Sequence, residues 1–179
     1  MPAKLVLKMH QSIDGFVCTP SGDESWVYMH MDESVLKWEV DHLWQAGTHI
    51  MGKNLYQIMA AYWPNSHEAP AAPMNEIPKV VFSATLTEAS WGPARIASGD
   101  LATEIARLKQ ESSKEILAHG GVAFAQSLTM LNLIDEYRLL VHPLALGSGR
   151  PFTKSPLNLR LLATHEFPAG VVALTYVRA

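Results

Sequence analysis

Cysteine is almost missing from this chain: of 179 residues only Cys18 is one. An internal disulfide is therefore excluded, as is a site built from several cysteine ligands, and a chain without disulfides suits a reducing compartment. No stretch approaches the roughly 20 consecutive apolar residues of a membrane span. Only Leu5, Val6 and Leu7 separate Lys4 from Lys8, too few for the apolar centre of a secretory signal. The formal charge of -3 comes from 14 cationic and 17 anionic residues with no basic block among them, so no nucleic-acid partner is expected. The eight histidines include no pair at H-x-H or H-x-x-x-H spacing, and no metal is expected. G-x-S-x-G is absent, and Ser148 in Gly147-Ser148-Gly149 runs into Arg150-Pro151, which speaks against a serine hydrolase. The dinucleotide fingerprint G-x-G-x-x-G is absent too, which argues against a Rossmann fold. What remains is a soluble cytoplasmic protein. With 48% hydrophobic residues it can form one ordinary core, read as a single domain over 1–179.

The most informative stretch runs from Lys114 to Phe152. Glu115 to Ala118 is a short apolar run entering His119-Gly120-Gly121, after which Val122, Ala125, Leu128 and Leu131 recur at helical spacing. That pattern is strand, glycine turn, helix. Glycines at the mouth of a helix let backbone approach a ligand closely, and the first-turn N–H groups at Val122 and Ala123, with the positive end of the helix dipole, favour an anion such as a phosphate. A tight turn between strand and helix also needs glycine on steric grounds alone. Ile134 to Leu146 resumes as a long strand rich in Leu, Val and Tyr.

Earlier in the chain, Leu5, Leu7 and Met9 alternate with Val6, Lys8 and His10 as a first strand, and Asp14-Gly15 follows as a turn. Trp26 to Met31 is rich in bulky amphipathic side chains, which suits a pocket wall, with Trp26 and Tyr28 as substrate contacts, although core packing explains that composition nearly as well. Asp32 reads as the N-cap of a helix over Glu33 to Ala46, with Leu36, Val40, Leu43 and Gly47 along one side. Thr48 to Met51 is a short strand, and Gly52-Lys53-Asn54 opens a helix as a second phosphate-ready turn. Trp63 to Pro78 carries four prolines without periodicity and reads as a long loop, a lid over the substrate side. Lys79 to Phe82 and Arg95 to Ala97 are strands, and Asp100 caps a helix with Leu101, Ile105 and Leu108. Leu159 to Phe167 and Val171 to Val177 flank Pro168-Ala169-Gly170 as a closing hairpin. Alternating strands and helices predict a three-layer α/β/α domain with a mainly parallel mixed sheet and a C-terminal antiparallel hairpin.

The segments from Met9 to Val17, Gly47 to Tyr56, Tyr62 to Pro64 and Lys79 to Leu86, with the stretch just described, resemble the dihydrofolate reductase-like family. That family includes the C-terminal reductase domain of bifunctional riboflavin-biosynthesis deaminase-reductases, and the chain is similar in particular to its small stand-alone bacterial members. The resemblance implies a homodimeric NADPH-dependent reductase. It places Asp14 and Gly15 beside the nicotinamide, Gly52, Lys53 and Asn54 on cofactor phosphates, Ser83, Ala84 and Thr85 at the adenosine side, and Gly120 to Ala123 on the diphosphate. Lys53 stands where the family usually has arginine, a point charge in place of a bidentate fork. The carboxylate that dihydrofolate reductases use to protonate a pterin has no match, since Leu36 holds its position and Asp32, Glu33 and Glu39 lie elsewhere, so no acid is carried over. Three functions stay open: a reductase acting on a small heterocyclic or carbonyl substrate, the riboflavin-pathway reduction of a pyrimidine ribosyl ring, and a dimeric nucleotide-binding protein without turnover.

Overall fold

The alternating first strand is the spine of the molecule. In a computed structural model that describes residues 2–179, β1 (Leu5–Ser12) lies between β6 (Glu115–Ala118) and β7 (Glu136–His142), parallel to both. Outward from β6 come β3 (Ala46–Gly52), β4 (Lys79–Phe82) and β5 (Ala94–Ala97), all parallel. Beyond β7 the direction reverses at β10 (Val172–Arg178), which pairs with β9 (Leu159–Glu166) as an antiparallel hairpin. The eight-stranded order is β5-β4-β3-β6-β1-β7-β10-β9, and a two-stranded ribbon joins β2 (Phe16–Cys18) to β8 (Arg150–Pro151).

The two faces of β1 separate as its alternation predicts. Leu5, Leu7 and Met9 join the core that includes Ile105 and Leu108 of α4 (Leu101–Glu111) and Ala125 and Leu128 of α5 (Val122–Met130). Val6 turns to the opposite face, in a core with Leu43 of α1 (Glu33–Leu43), Tyr56 of α2 (Lys53–Tyr62) and Met74 of α3 (Ala71–Glu76). This is the three-layer arrangement read from the sequence. Among the described residues no helix is long and apolar enough to cross a membrane.

Three segments differ from their sequence-based expectation. The first helix stops at Leu43 and not at Ala46, because Ala46 is already pairing with Glu115 as β3 begins. The strand expected over 134–146 is only β7, ending at His142 before Pro143, which has no N–H for a ladder. Trp63 to Pro78 is not a loop: it holds a 3-10 turn at Trp63–Asn65 and then α3. Prolines hid that helix, yet Pro70 sits at its N-cap and Pro73 in its first turn, where a missing N–H costs no intrahelical bond.

At the N-terminal ends of the three central strands, Arg138 donates from Nη1 and Nη2 to the two oxygens of Glu115 at 2.7 and 2.8 Å, and from Nε to Glu136 at 2.8 Å. Lys4 reaches the other oxygen of Glu136 at 3.2 Å. The Arg138 side chain is 8% exposed and its two acids 14% and 7%, so removing the guanidinium would strand two buried carboxylates. Arg138→Met should lower the unfolding free energy by about 3 to 5 kcal/mol in urea titrations. A loss below about 1 kcal/mol would show that the group behaves as a solvent-screened surface pair.

Candidate active site

Because β4, β3, β6 and β1 run parallel, the loops at their C-terminal ends stand side by side along one edge of the sheet. Ser83 to Thr85, Gly52 to Asn54, Gly120 to Ala123 and Asp14-Gly15 therefore form one row. Lys53 Nζ donates to Thr85 Oγ1 at 2.9 Å, joining the first two. The His119 N–H donates to the Ile50 carbonyl at 3.1 Å, joining the second to the third.

Two helices on this edge start differently from α1 and α4. Asp32 caps α1 by accepting from the Ser34 and Val35 N–H groups at 2.9 Å, and Asp100 caps α4 through Thr103 N–H at 2.9 Å. α2 and α5 instead begin after Gly52 and Gly121, and no side chain caps either one. Their first-turn N–H groups and dipole ends are thus left for an anion. Gly120 has φ +86°, and a methyl there would come within 2.9 Å of Met9 Sδ, so only glycine makes this turn.

Beside Gly121, on the α1–α3 side of the sheet, lies a cavity of about 320 Å³. Tyr28, Met31, Tyr62 and Trp63 supply much of its apolar wall, and Lys8, His10, Glu24, Glu39 and Glu68 its charge-bearing groups. Glu39 of α1, 7% exposed, is gripped at one oxygen by both β1 side chains: Lys8 Nζ at 2.5 Å and His10 Nε2 at 2.9 Å. Burial alone would push the Glu39 carboxyl up, but the Lys8 ammonium and His10 outweigh it and hold the group well below the usual carboxylate range. Both bonds fall on Oε1, and Glu39 is one of the residues lining the cavity. Glu24 shifts the other way: although the residue is exposed overall, the protein around its carboxyl pushes it up.

Behind Glu39 the chain of hydrogen bonds continues. His10 Nδ1 lies 2.9 Å from Nε2 of His142, whose ring stacks edge-on against Trp26. Burial, with His10 and His30 nearby, pushes His142 down to about 4. A second imidazole pair, His49 and His119, lies with ring centroids 4.6 Å apart, and His119 reaches the cavity floor. Burial, then the Lys79 charge, pushes His49 down to about 3; burial and His49 hold His119 well below its ordinary value. Both nitrogens of His49 lack a partner that meets hydrogen-bond geometry, the Leu43 carbonyl being its nearest acceptor. No three acidic, histidine or cysteine side chains among the described residues converge to hold a metal.

The structure brings together the expected row of turns, and Tyr28 lines the cavity. Trp26 does not; it is 5% exposed and packs behind on His142. Asp14 also stands away from the cavity. Its carboxylate accepts from Ser12 Oγ at 2.5 Å, Leu146 N–H at 3.1 Å and Gly147 N–H at 2.8 Å, and the Ser12 bond leads in holding it below its usual range. Those bonds tie the loop after β1 to the backbone at 146–147. The sequence reading passed over Lys8, His10 and Glu39. A signal was present: Lys8 and His10 share one face of a strand that opens with three apolar residues, and Glu39 sits with Val35 and Leu43 at steps of four on the buried side of α1.

Comparison with known families fits this geometry. The profile of the RibD C-terminal domain matches residues 3–173. The chain belongs to that family. Among RibD-like relatives, the uncharacterized Bacillus subtilis protein YyaP is 28% identical over 97% of this chain and 94% of its own length. A Shewanella protein ascribed to riboflavin biosynthesis has the same fold, with TM-score 0.76 at 20% identity over 100% of this chain and 99% of that one. Enterococcus faecalis dihydrofolate reductase, solved with NADP(H), superposes with TM-score 0.66 at 12% identity, covering 98% and 96% of the two chains. The RibD C-terminal domain here thus has a dihydrofolate reductase-like fold.

The buried histidines set a pH dependence. An unfolded chain protonates histidine near pH 6.5, whereas folded His142, His49 and His119 resist until much lower pH, so acid favours unfolding. Stability should be full above about pH 6.5 and fall steadily toward pH 4, with up to about three protons taken up on unfolding near pH 5. Glu24, shifted oppositely, offsets at most one of these. Urea unfolding from pH 7 to 4.5 measures the slope. It should lose one proton in His142→Phe, and a flat curve would mean that these imidazoles are already charged in the folded protein.

Proposed function

We propose that the protein is an NADPH-dependent reductase that passes hydride to a small heterocyclic or carbonyl compound held in the cavity beside Gly121. One observation carries this reading: two helices with glycine N-caps and no capping side chain open onto the same sheet edge, and the cavity meets that edge at Gly121. The residues there fit a dinucleotide. Gly52, Lys53 and Asn54 at one helix start, and Gly121, Val122 and Ala123 at the other, offer backbone N–H groups and one ammonium to phosphates. Gly120 keeps backbone close to the floor. Ser83 Oγ already accepts from the Thr85 and Leu86 N–H groups at 3.1 and 2.9 Å, so this hydroxyl turn is rigid while its O–H remains a donor. Ala84 and Gly15 stand in the same row without side-chain donors.

When bound, the reduced nicotinamide would supply the hydride; this chain's part is orientation. His10 is bonded at both ring nitrogens, to His142 and to Glu39, so its ring is held in one orientation at the cavity. Tyr28, Met31 and Trp63 give the cavity apolar surface for a flat ligand to lie against.

The riboflavin-pathway alternative concerns a phosphorylated ribosyl pyrimidine, and among the described residues the one ammonium lining the cavity, that of Lys8, is taken by Glu39. The general reductase is therefore preferred. A protein that binds the nucleotide without turnover would shift NADPH fluorescence and leave its absorbance constant over a panel of pterins, quinones and nitro compounds, an outcome that would sink the reductase reading.

Cofactor choice should rest on Lys53, which shares the 2'-phosphate position with Thr85 and Ser83. A hydrogen bond to a charged group contributes about 1.5 to 3 kcal/mol, so Lys53→Ala should weaken NADPH roughly 10- to 100-fold and hardly touch NADH. Equal weakening of both would put Lys53 on the shared diphosphate instead.

A homodimer is part of the same proposal. β9 is the last strand of the sheet, and Leu161 and Leu162 on it are each 48% exposed. Light scattering at micromolar concentration should give twice the chain mass; a monomer mass would remove the dimer.

A further inference from the structure

The two uncapped helix starts belong to neighbouring strands but to opposite faces of the sheet. α2 follows β3 and packs with Tyr56 on one face, whereas α5 follows β6 and packs with Ala125 and Leu128 on the other. The β3–β6 ladder ends at Ile50 and Ala118, and the His119 N–H bond to the Ile50 carbonyl is the last link beyond it. Among the described residues no further hydrogen bond joins the Gly52 turn to the Gly121 turn. The gap between the helix starts is therefore set by side chains.

Those side chains make reciprocal contacts. Leu55 and Phe124 are each the third residue of their helix. A methyl on Gly52 would come within 3.3 Å of Phe124 Cβ, and one on Gly121 within 4.0 Å of Leu55 Cβ. Each helix thus lays its third side chain against the glycine that opens the other. In a capping box the third residue turns back to its own helix start; here both cross the crest of the sheet. Phe124 also meets Phe82, the strand partner of Gly52, with ring centroids 5.1 Å apart. Its half-buried ring rests against the ends of two adjacent strands at once.

We propose that Phe124 is a positioning residue that fixes the distance between the two helix starts, so that they act together on a diphosphate and not singly on one phosphate. This role rests on the cofactor reading above. A diphosphate is two anionic groups joined through one oxygen and has little reach, so donors on both helices engage it together only while their gap is held. Holding it at folding removes an ordering cost from binding. A monophosphate needs the N–H groups of one helix start alone and does not sense the gap.

Phe124→Ala and Phe124→Leu test this, each compared with the unaltered protein for thermal unfolding and then titrated by calorimetry with NADPH, ADP-ribose and adenosine 5'-phosphate. Phe124→Ala should weaken NADPH and ADP-ribose at least about 10-fold, the loss of one hydrogen bond to a charged oxygen. Phe124→Leu keeps Cγ against Gly52 and gives up the ring against Phe82, and should weaken them about 3-fold. It carries the comparison if the alanine variant does not fold. Adenosine 5'-phosphate should bind all three proteins alike. Diphosphate affinity that falls in neither variant overturns the positioning role, and so does an equal loss for adenosine 5'-phosphate, which would put the ring on the nucleoside itself. An unaltered protein that binds neither NADPH nor ADP-ribose removes the cofactor reading and this role together; one that binds both, with no loss in the variants, removes the role alone.

Discussion

The carboxylate of Glu39 is the point on which the site depends. A helix side chain reaches down to a sheet, and two alternate residues of one strand, Lys8 and His10, close on the same oxygen. Burying a carboxylate by itself is costly, and only the ammonium and imidazole make this depth tolerable. The pairing fastens α1 over β1 and engages the Lys8 ammonium at the cavity. It also begins the hydrogen-bonded series that runs through His10 to His142. Position and charge thus share one contact.

Much of the architecture could be read from the chain because its signals are local. Alternation in Leu5 to His10, the capping aspartates 32 and 100, and the glycine turns at 52 and 120–121 each state a backbone preference that tertiary packing then respects. The adjacency of Lys53 to the Ser83–Thr85 turn followed from short parallel crossovers. The cavity was not legible in the same way. Lys8, Glu39 and His142 come from β1, α1 and β7, and nothing in their spacing tells that they converge. The partners of Asp14 were hidden for a related reason: an Asp-Gly turn specifies itself, but not the 146–147 backbone that its carboxylate meets from the far end of the chain. Prolines 70 and 73 concealed a helix because they punctuate only its first turn.

The capping pattern separates two kinds of helix. Where α1 and α4 begin, a carboxylate completes the helix from within the chain. Where α2 and α5 begin, glycine completes nothing, and the unmet N–H groups all open onto one sheet edge. A helix end left incomplete forgoes roughly a kilocalorie of capping stability, and two on the same edge concentrate positive potential there. Next to it lies the cavity beside Gly121.

The bonds from Asp14 to Leu146 and Gly147 join loops more than 130 residues apart, and Arg150 adds two bonds to the Pro20 carbonyl at 3.2 and 2.8 Å. With the β2–β8 ribbon, they make one body of two excursions that would otherwise fluctuate separately. Loops already ordered have little conformational entropy left to lose when a ligand arrives. A ligand reaching this side of the molecule would find the ordering cost already met at folding, so affinity there would be governed by contact and charge more than by rearrangement.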